Sequence, residues 1–238
     1  MRVRIPLRRG IFFLCVLLFA LVALLPLRLV LDWLALDERG LAAREARGSI
    51  WFGSLSEARF GSIALGDLTA ELRTLPLLLG RARVDLDRIE EGKEFRAGLT
   101  VSRHSFGVDD ATGSIAVGSA FAPLPVASLD LSDLSARFRD GLCHSAEGMV
   151  KASVAGDLGG LALPGGFSGQ VRCEEGALLL PLVSQTGMEA LNFRLDENGR
   201  YAVELVVRPA DQGLADRLAA AGFALTPTGY VLAADGTF

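Results

Sequence analysis

Two histidines and three cysteines in 238 residues leave little material for a catalytic or metal centre. Neither Cys143 nor Cys173 has the paired CxxC spacing of a zinc site. Gly53-Ser54 lacks the following x-Gly of a nucleophile elbow. The glycine-rich stretch from Ala155 to Gly169 has no phosphate-cradling spacing and no Lys-Ser or Lys-Thr end. His144 adjoins Cys143, but strand neighbours point to opposite faces and cannot work as nucleophile and base. His104 lies among strand-like residues and reads as a solvated polar position. Asp85 and Asp87 share a strand face, yet no calcium-loop pattern surrounds them, so solvated surface is the expectation. No catalytic residue, metal site or cofactor is expected.

Basic charge is also scarce where it would matter for nucleic acid. Four arginines (Arg2, Arg4, Arg8 and Arg9) fall in the first ten positions, leaving 20 basic against 28 acidic residues afterwards, a balance of −8. A negative body without a basic-aromatic face excludes a nucleic-acid binder.

Only one apolar run is long. It extends from Ile11 to Leu27, is broken by Arg28, and resumes at Leu29, Val30 and Leu31. At about 1.5 Å per helical residue the first part covers about 25 Å, against a hydrocarbon core of roughly 30 Å. Residues up to Leu31 close the gap if Arg28 reaches the headgroups. Pro26 is expected to kink the helix, and Trp33 falls where an interfacial aromatic belongs. A cleaved signal peptide has the same order of regions, but no good small-x-small site lies between Ala20 and Ala43, and Ala20 and Ala23 are spaced wrongly and lie inside the apolar run. The run therefore reads as an uncleaved signal anchor, with the arginine-flanked N-terminus in the cytoplasm and the rest exported. The expected division is a basic tail at 1–10, a transmembrane anchor at 11–31, a juxtamembrane helix or linker at 32–47, and an exported domain at 48–238 with a subdivision near 124.

Cys15 lies inside the anchor. Cys143 and Cys173 belong to the exported part, where thiols oxidise. A bridge between them is the favoured reading, and two buried thiols the alternative.

From Gly48 onward, turn residues recur every eight to twelve positions and the segments between them alternate. Phe95, Ala97, Leu99 and Val101 share one face; so do Val150, Ala152 and Val154, and Phe167, Gly169, Val171 and Cys173. Such alternation marks half-buried strands. Leu191, Phe193 and Leu195, then Asn198-Gly199, then Tyr201, Val203, Leu205 and Val207 spell a hairpin. Leu129 and Leu131 change phase to Leu134, Ala136 and Phe138, which predicts a bulge near Ser132 or Asp133. Gln212–Ala221 is the one helix expected beyond the anchor, stopped by Gly222. The fold class is mainly β: a transmembrane helix, then a curved antiparallel sheet domain with one short C-terminal helix.

Two apolar clusters stand out. Trp51 and Phe52 lie between Gly48 and Gly53, either seating the first strand or facing a partner or lipid. Leu75–Leu79, which ends in Leu77, Leu78 and Leu79, is apolar on both faces if extended. It suits a covered strand that begins at Pro76, or a short membrane-facing element.

The order Gly48-Ser-Ile-Trp51-Phe-Gly53-Ser-Leu, Leu65-Gly-Asp-Leu68 and Leu75-Pro-Leu-Leu-Leu-Gly80-Arg, following a short anchor, resembles the protein N family of the bacterial type II secretion system. Leu142-Cys143, Gly148, Gly169-Gln-Val-Arg-Cys173, Pro181-Leu182, Asn198-Gly-Arg-Tyr201 and Gly229-Tyr230-Val-Leu extend the similarity into the second half. The resemblance implies a single-pass inner-membrane protein with a periplasmic domain, accessory to the export of folded proteins and without enzymatic activity. Its implied partners are other secretion subunits: the inner-membrane platform, with periplasmic or secretin-linked components beside it. Membrane lipid is a further partner. A more diffuse similarity to AsmA-like proteins implies, as an alternative, a curved groove that handles lipid or another amphiphile.

Overall fold

The computed structural model describes residues 7–33, 40–88, 94–154, 157–158, 161–162, 165–210 and 212–237. Two helices open the chain, α1 (Leu7–Ala23) and α2 (Leu27–Trp33). The expected single span over 11–31 is therefore divided. Leu24, Leu25 and Pro26 leave helical geometry, and Pro26 instead forms an isolated bridge with Ser49. Proline has no N–H to continue a helical ladder and its ring clashes with the preceding turn. Leu27, counted in the apolar run, is buried in the body of the protein. No helix among the described residues is long and apolar enough to cross a membrane. The expected helical continuation toward Gly40 lies largely in 34–39, outside the described residues.

Strand pairing begins at Leu41. The first group is β1 (Leu41–Ala42), β2 (Glu45–Gly48), β3 (Gly53–Phe60) and β4 (Ile63–Leu72). A short helix α3 (Thr74–Leu78) precedes β5 (Ala82–Arg88), β6 (Phe95–Val101) and β7 (Ser105–Ala116). Two long strands, β8 (Val126–Arg139) and β9 (Leu142–Val154), form the middle. The glycine-rich stretch contains a small separate hairpin, β10 (Asp157–Leu158) with β11 (Leu161–Ala162). Then follow β12 (Gly166–Gln170), β13 (Arg172–Glu174), β14 (Ala177–Ser184), β15 (Glu189–Leu195), β16 (Arg200–Val207), α4 (Gln212–Ala220), β17 (Ala224–Thr226) and β18 (Gly229–Thr237).

Sixteen of these strands form one sheet in which every pairing is antiparallel, in the order β1-β3-β4-β5-β6-β7-β8-β9-β12-β14-β15-β16-β18-β17, with β2 on β3 and β13 on β14. The sheet curls. Ala64 of β4 pairs with Ala116 of β7 although two strands lie between them. Arg88 clamps this seam: Nη1 donates to Leu65 O at 2.8 Å and Nη2 to Ser114 O at 2.5 Å. Its guanidinium also lies 5.8 Å from the Phe95 ring centroid.

Bulges supply part of that curvature. Asp133 has φ +49°, and the register of β8 on β9 shifts between Ser132 and Ser135, so the expected bulge is present. Its N–H donates to Thr112 Oγ1 at 3.1 Å. Glu57 and Asp110 repeat the device, with their N–H groups caught by Asp67 Oδ1 and Ser135 Oγ. Gly148 faces the Asp133 bulge at φ +112°, where a side chain would strike Leu134 backbone. Pro181 sits where β14 changes partner, between Leu179 on Arg172 and Val183 on Ser168. The absent N–H of proline therefore costs no ladder bond there.

One continuous core lies along one face of the sheet. Val150, Ala152, Phe167, Leu182, Leu191, Val203 and Leu205 are fully buried along the second half. The connection between β7 and β8 folds over them: Phe121 packs edge-on against Phe193 and Tyr201, and Tyr201 OH donates to Ala120 O at 2.7 Å. Leu218 of α4 and Phe223 join the same cluster. The helix α4 ends as expected: Gly222 has φ +90°, and the N–H groups of Gly222 and Phe223 return to Ala219 and Leu218 carbonyls.

Two alternation readings need amendment. Leu99 and Val101 hold their place on the β6 face, but the core does not reach them, and both are exposed. The hairpin at Asn198-Gly199 forms, with Leu195 opposite Tyr201, but of the two turn residues only Gly199 has positive φ. Asp196 organises the loop by accepting the N–H groups of Asn198 and Arg200 on Oδ1.

Candidate functional site

Side chains gathered at one end of the sheet define the candidate site. The β2–β3 hairpin tip and the start of β5 lie at the same end, because Gly53 pairs with Ala70 and Leu72 with Val84. The end of α1 is tied to this tip. Ile50 N–H donates to Leu25 O at 3.1 Å, and Trp51 Nε1–H donates to Val22 O at 3.0 Å. Leu27 fills the space over Gly53, where no side chain would fit. Trp51 is thus half-buried and joins helix to sheet, while its neighbour Phe52 is exposed.

Leu75–Leu79 does not extend as a strand. Thr74–Leu78 is helical, with Pro76 in the first turn, where a missing N–H is harmless. Gly80 at φ +72° closes it: Gly80 N–H returns to Leu77 O and Arg81 N–H to Pro76 O, each at 3.0 Å. This is a Schellman stop, and the glycine after a leucine run was its available sequence signal. Leu75, Leu78 and Leu79 are 76, 84 and 79% exposed. Leu77, at 37%, is the least exposed of the four leucines. The structure therefore brings Trp51, Phe52, Leu77, Leu78 and Leu79 to one end.

Asp85 and Asp87 are engaged by arginines. Arg73 Nε and Arg83 Nε donate to Asp85 at 2.6 and 2.9 Å, and Arg96 Nε to Asp87 at 2.8 Å. Asp109 continues the ladder, accepting from Thr100 Oγ1 at 2.6 Å and Arg137 Nη2 at 2.9 Å. Burial opposes ionisation of Asp85, but the hydrogen bonds from Arg73 and Arg83 outweigh it and hold its carboxyl below the usual range. A cleft of about 310 Å³ beside this ladder is lined by Arg83, Asp109, Asp110, Ser135, Arg137 and Glu147 among others. A second, of about 490 Å³, opens between α2 and β1–β2, with Arg28, Leu31, Asp32, Leu41 and Arg44 on its walls.

Cys143 and Cys173 are joined in a disulfide, Cα atoms 5.4 Å apart, tying the start of β9 to β13. Cys143 N–H also donates to Gly176 O at 2.7 Å, so the bridge reinforces a backbone contact. His104 and His144 are exposed. Among the described residues, no three His, Cys, Asp or Glu side chains converge as a metal site.

The architecture is thus an antiparallel sheet domain behind an apolar helix, joined by one disulfide among the described residues and carrying arginine–aspartate pairs. The chain belongs to the type II secretion system protein N family, whose model matches residues 39–233. Among known proteins it is 28% identical over 222 residues, 84% of either chain, to the type II secretion system protein N of Vibrio cholerae serotype O1. No solved structure matches it. The family match begins after α2, so it describes the sheet domain.

Proposed function

We propose that the protein is a non-enzymatic accessory component of a bacterial type II secretion system. The apolar part of α1, Ile11–Ala23, holds it in the inner membrane with the N-terminus in the cytoplasm, and the sheet domain stands in the periplasm. There it docks to other secretion subunits, the inner-membrane platform first, and so supports export of folded proteins. Family membership is the observation that carries the reading. The apolar residues of α1 support the membrane assignment, since they are exposed around the whole helix from Ile11 to Val22. Docking has more support than an amphiphile-holding trough, because Phe121, Leu218 and Phe223 pack into the same core cluster as the buried strand residues of the second half.

The test is crosslinking in cells, followed by detergent extraction and affinity purification of the full chain. Inner-membrane secretion subunits are expected in the eluate; recovery of no secretion component overturns the proposal. Protease added to cells with opened outer membranes is expected to digest the sheet domain, and an intact domain refutes the topology.

A further inference from the structure

We propose that the α1-bearing end of the sheet is itself seated in the periplasmic surface of the inner membrane, with α3 and Phe52 immersed among lipid headgroups and upper acyl chains. This rests on the reading that α1 lies in the bilayer.

Length is the first argument. The apolar part of α1 runs from Ile11 to Ala23 and then stops at the Leu24–Pro26 break. Thirteen helical residues rise about 20 Å, well short of a hydrocarbon core of roughly 30 Å. The expected continuation cannot make up the difference as helix, because Leu27 is committed to the sheet domain. A short span is accommodated by local thinning of the bilayer or by apolar protein surface that sinks to meet it.

Such a surface is present at the required place. The hydrogen bonds from Ile50 and Trp51 to Leu25 and Val22 fix the hairpin tip within the last turn of α1. Phe52, at that tip, is 72% exposed, and α3 adds Leu75, Leu78 and Leu79 on the neighbouring connection. Four large apolar side chains directed outward on two adjacent connections are costly in water and favourable in lipid. Arg81, exposed directly after the α3 stop, and Arg28, exposed next to Leu27, suit the phosphates of the headgroup layer. A partner protein would leave the shortfall of α1 unmet; a lipid surface meets both the shortfall and the patch.

The test uses the full chain with the Cys143–Cys173 bridge intact and Cys15→Ser as background. Single cysteines are introduced by Phe19→Cys, Leu78→Cys and Leu225→Cys, each labelled with an environment-sensitive fluorophore. Leu225 is an exposed control on β17, at the other edge of the sheet. The labelled proteins are reconstituted in vesicles of phosphatidylethanolamine and phosphatidylglycerol, with nitroxides placed either near the headgroup or near the chain end. The label at 78 is expected to emit at shorter wavelength than that at 225 and to be quenched mainly by the shallow nitroxide. The label at 19 is expected to be quenched mainly by the deep one. Quenching at 19 with water-like emission at 78 overturns this inference and leaves the membrane assignment standing. No quenching at 19 overturns both. A label at 78 that is shielded from water yet untouched by either nitroxide assigns the patch to a second copy of the chain and overturns it as well.

Discussion

Removing the bridge between Cys143 and Cys173 is the perturbation whose size can be worked out most directly. The cysteines are 30 residues apart, and the chain between them includes the glycine-rich stretch, so the open loop in the unfolded protein is long and supple. Chain-entropy reasoning for a loop of that length gives about 3.6 kcal/mol at room temperature. For a domain near two hundred residues this corresponds to a fall in Tm of roughly 7–14 °C. The assay is thermal unfolding of the full chain in detergent, followed by circular dichroism, for Cys143→Ala, Cys173→Ala and the double variant. Either single change breaks the same bond, so each is expected to cost nearly as much as both together. Two small, additive effects, or a double variant melting within about 2 °C of the wild type, would refute the reasoning. Unreduced protein is also expected to migrate faster than reduced protein in denaturing gels, a difference absent from all three variants.

Leu182→Ala opens a void under β14 at a fully buried position and is expected to cost about 2–5 kcal/mol in urea unfolding, whereas the exposed neighbour change Val183→Ala stays within about 0.5 kcal/mol. Gly148→Ala places a Cβ 2.5 Å from Leu134 Cα at a left-handed backbone position and is expected to cost about 2–3 kcal/mol by the same measurement. Asp85→Asn removes a carboxylate whose folded acidity is strengthened by Arg73 and Arg83. That stabilisation is complete above the unfolded value of about 3.9 and is lost as pH falls through the lower folded value. The variant is therefore less stable than wild type at neutral pH, and the difference closes in acid; a gap that persists at the acid end refutes the ion-pair account.

Local patterns carried much of the fold. The β15–β16 hairpin was legible because its alternation, its turn and its return are contiguous in sequence. The phase change around Asp133 marked a bulge for the same reason. The cysteine pair needed only a compartment and a count. What escaped depended on long-range register. Asp85 was visible as a strand carboxylate with Arg83 two residues away on the same face, but Arg73 reaches it from the end of β4, a neighbourhood only sheet pairing reveals. The Arg88 seam joins β4 to β7, and Tyr201 reaches Ala120 from 81 residues away; no local period announces either. The helix α3 was missed because a run of leucines has no period to distinguish helix from strand. The division of the apolar run at Pro26 was underestimated, since a kink and a full stop look alike until the residue that follows is seen to be buried elsewhere.

The order of strands in the sheet has a consequence for how the protein is made. Nearly every strand sits beside one that emerged shortly before it, and β3, β4, β5, β6, β7, β8 and β9 line up in the sequence in which a ribosome delivers them. Each new segment finds its template already waiting, so assembly can proceed like a zipper drawn from the N-terminus, with short loops to close at each step. The long closures, between residues 64 and 116 and between 120 and 201, need the chain between them to have been delivered first. Such a chain has little need to remain unfolded while its far end is still being delivered.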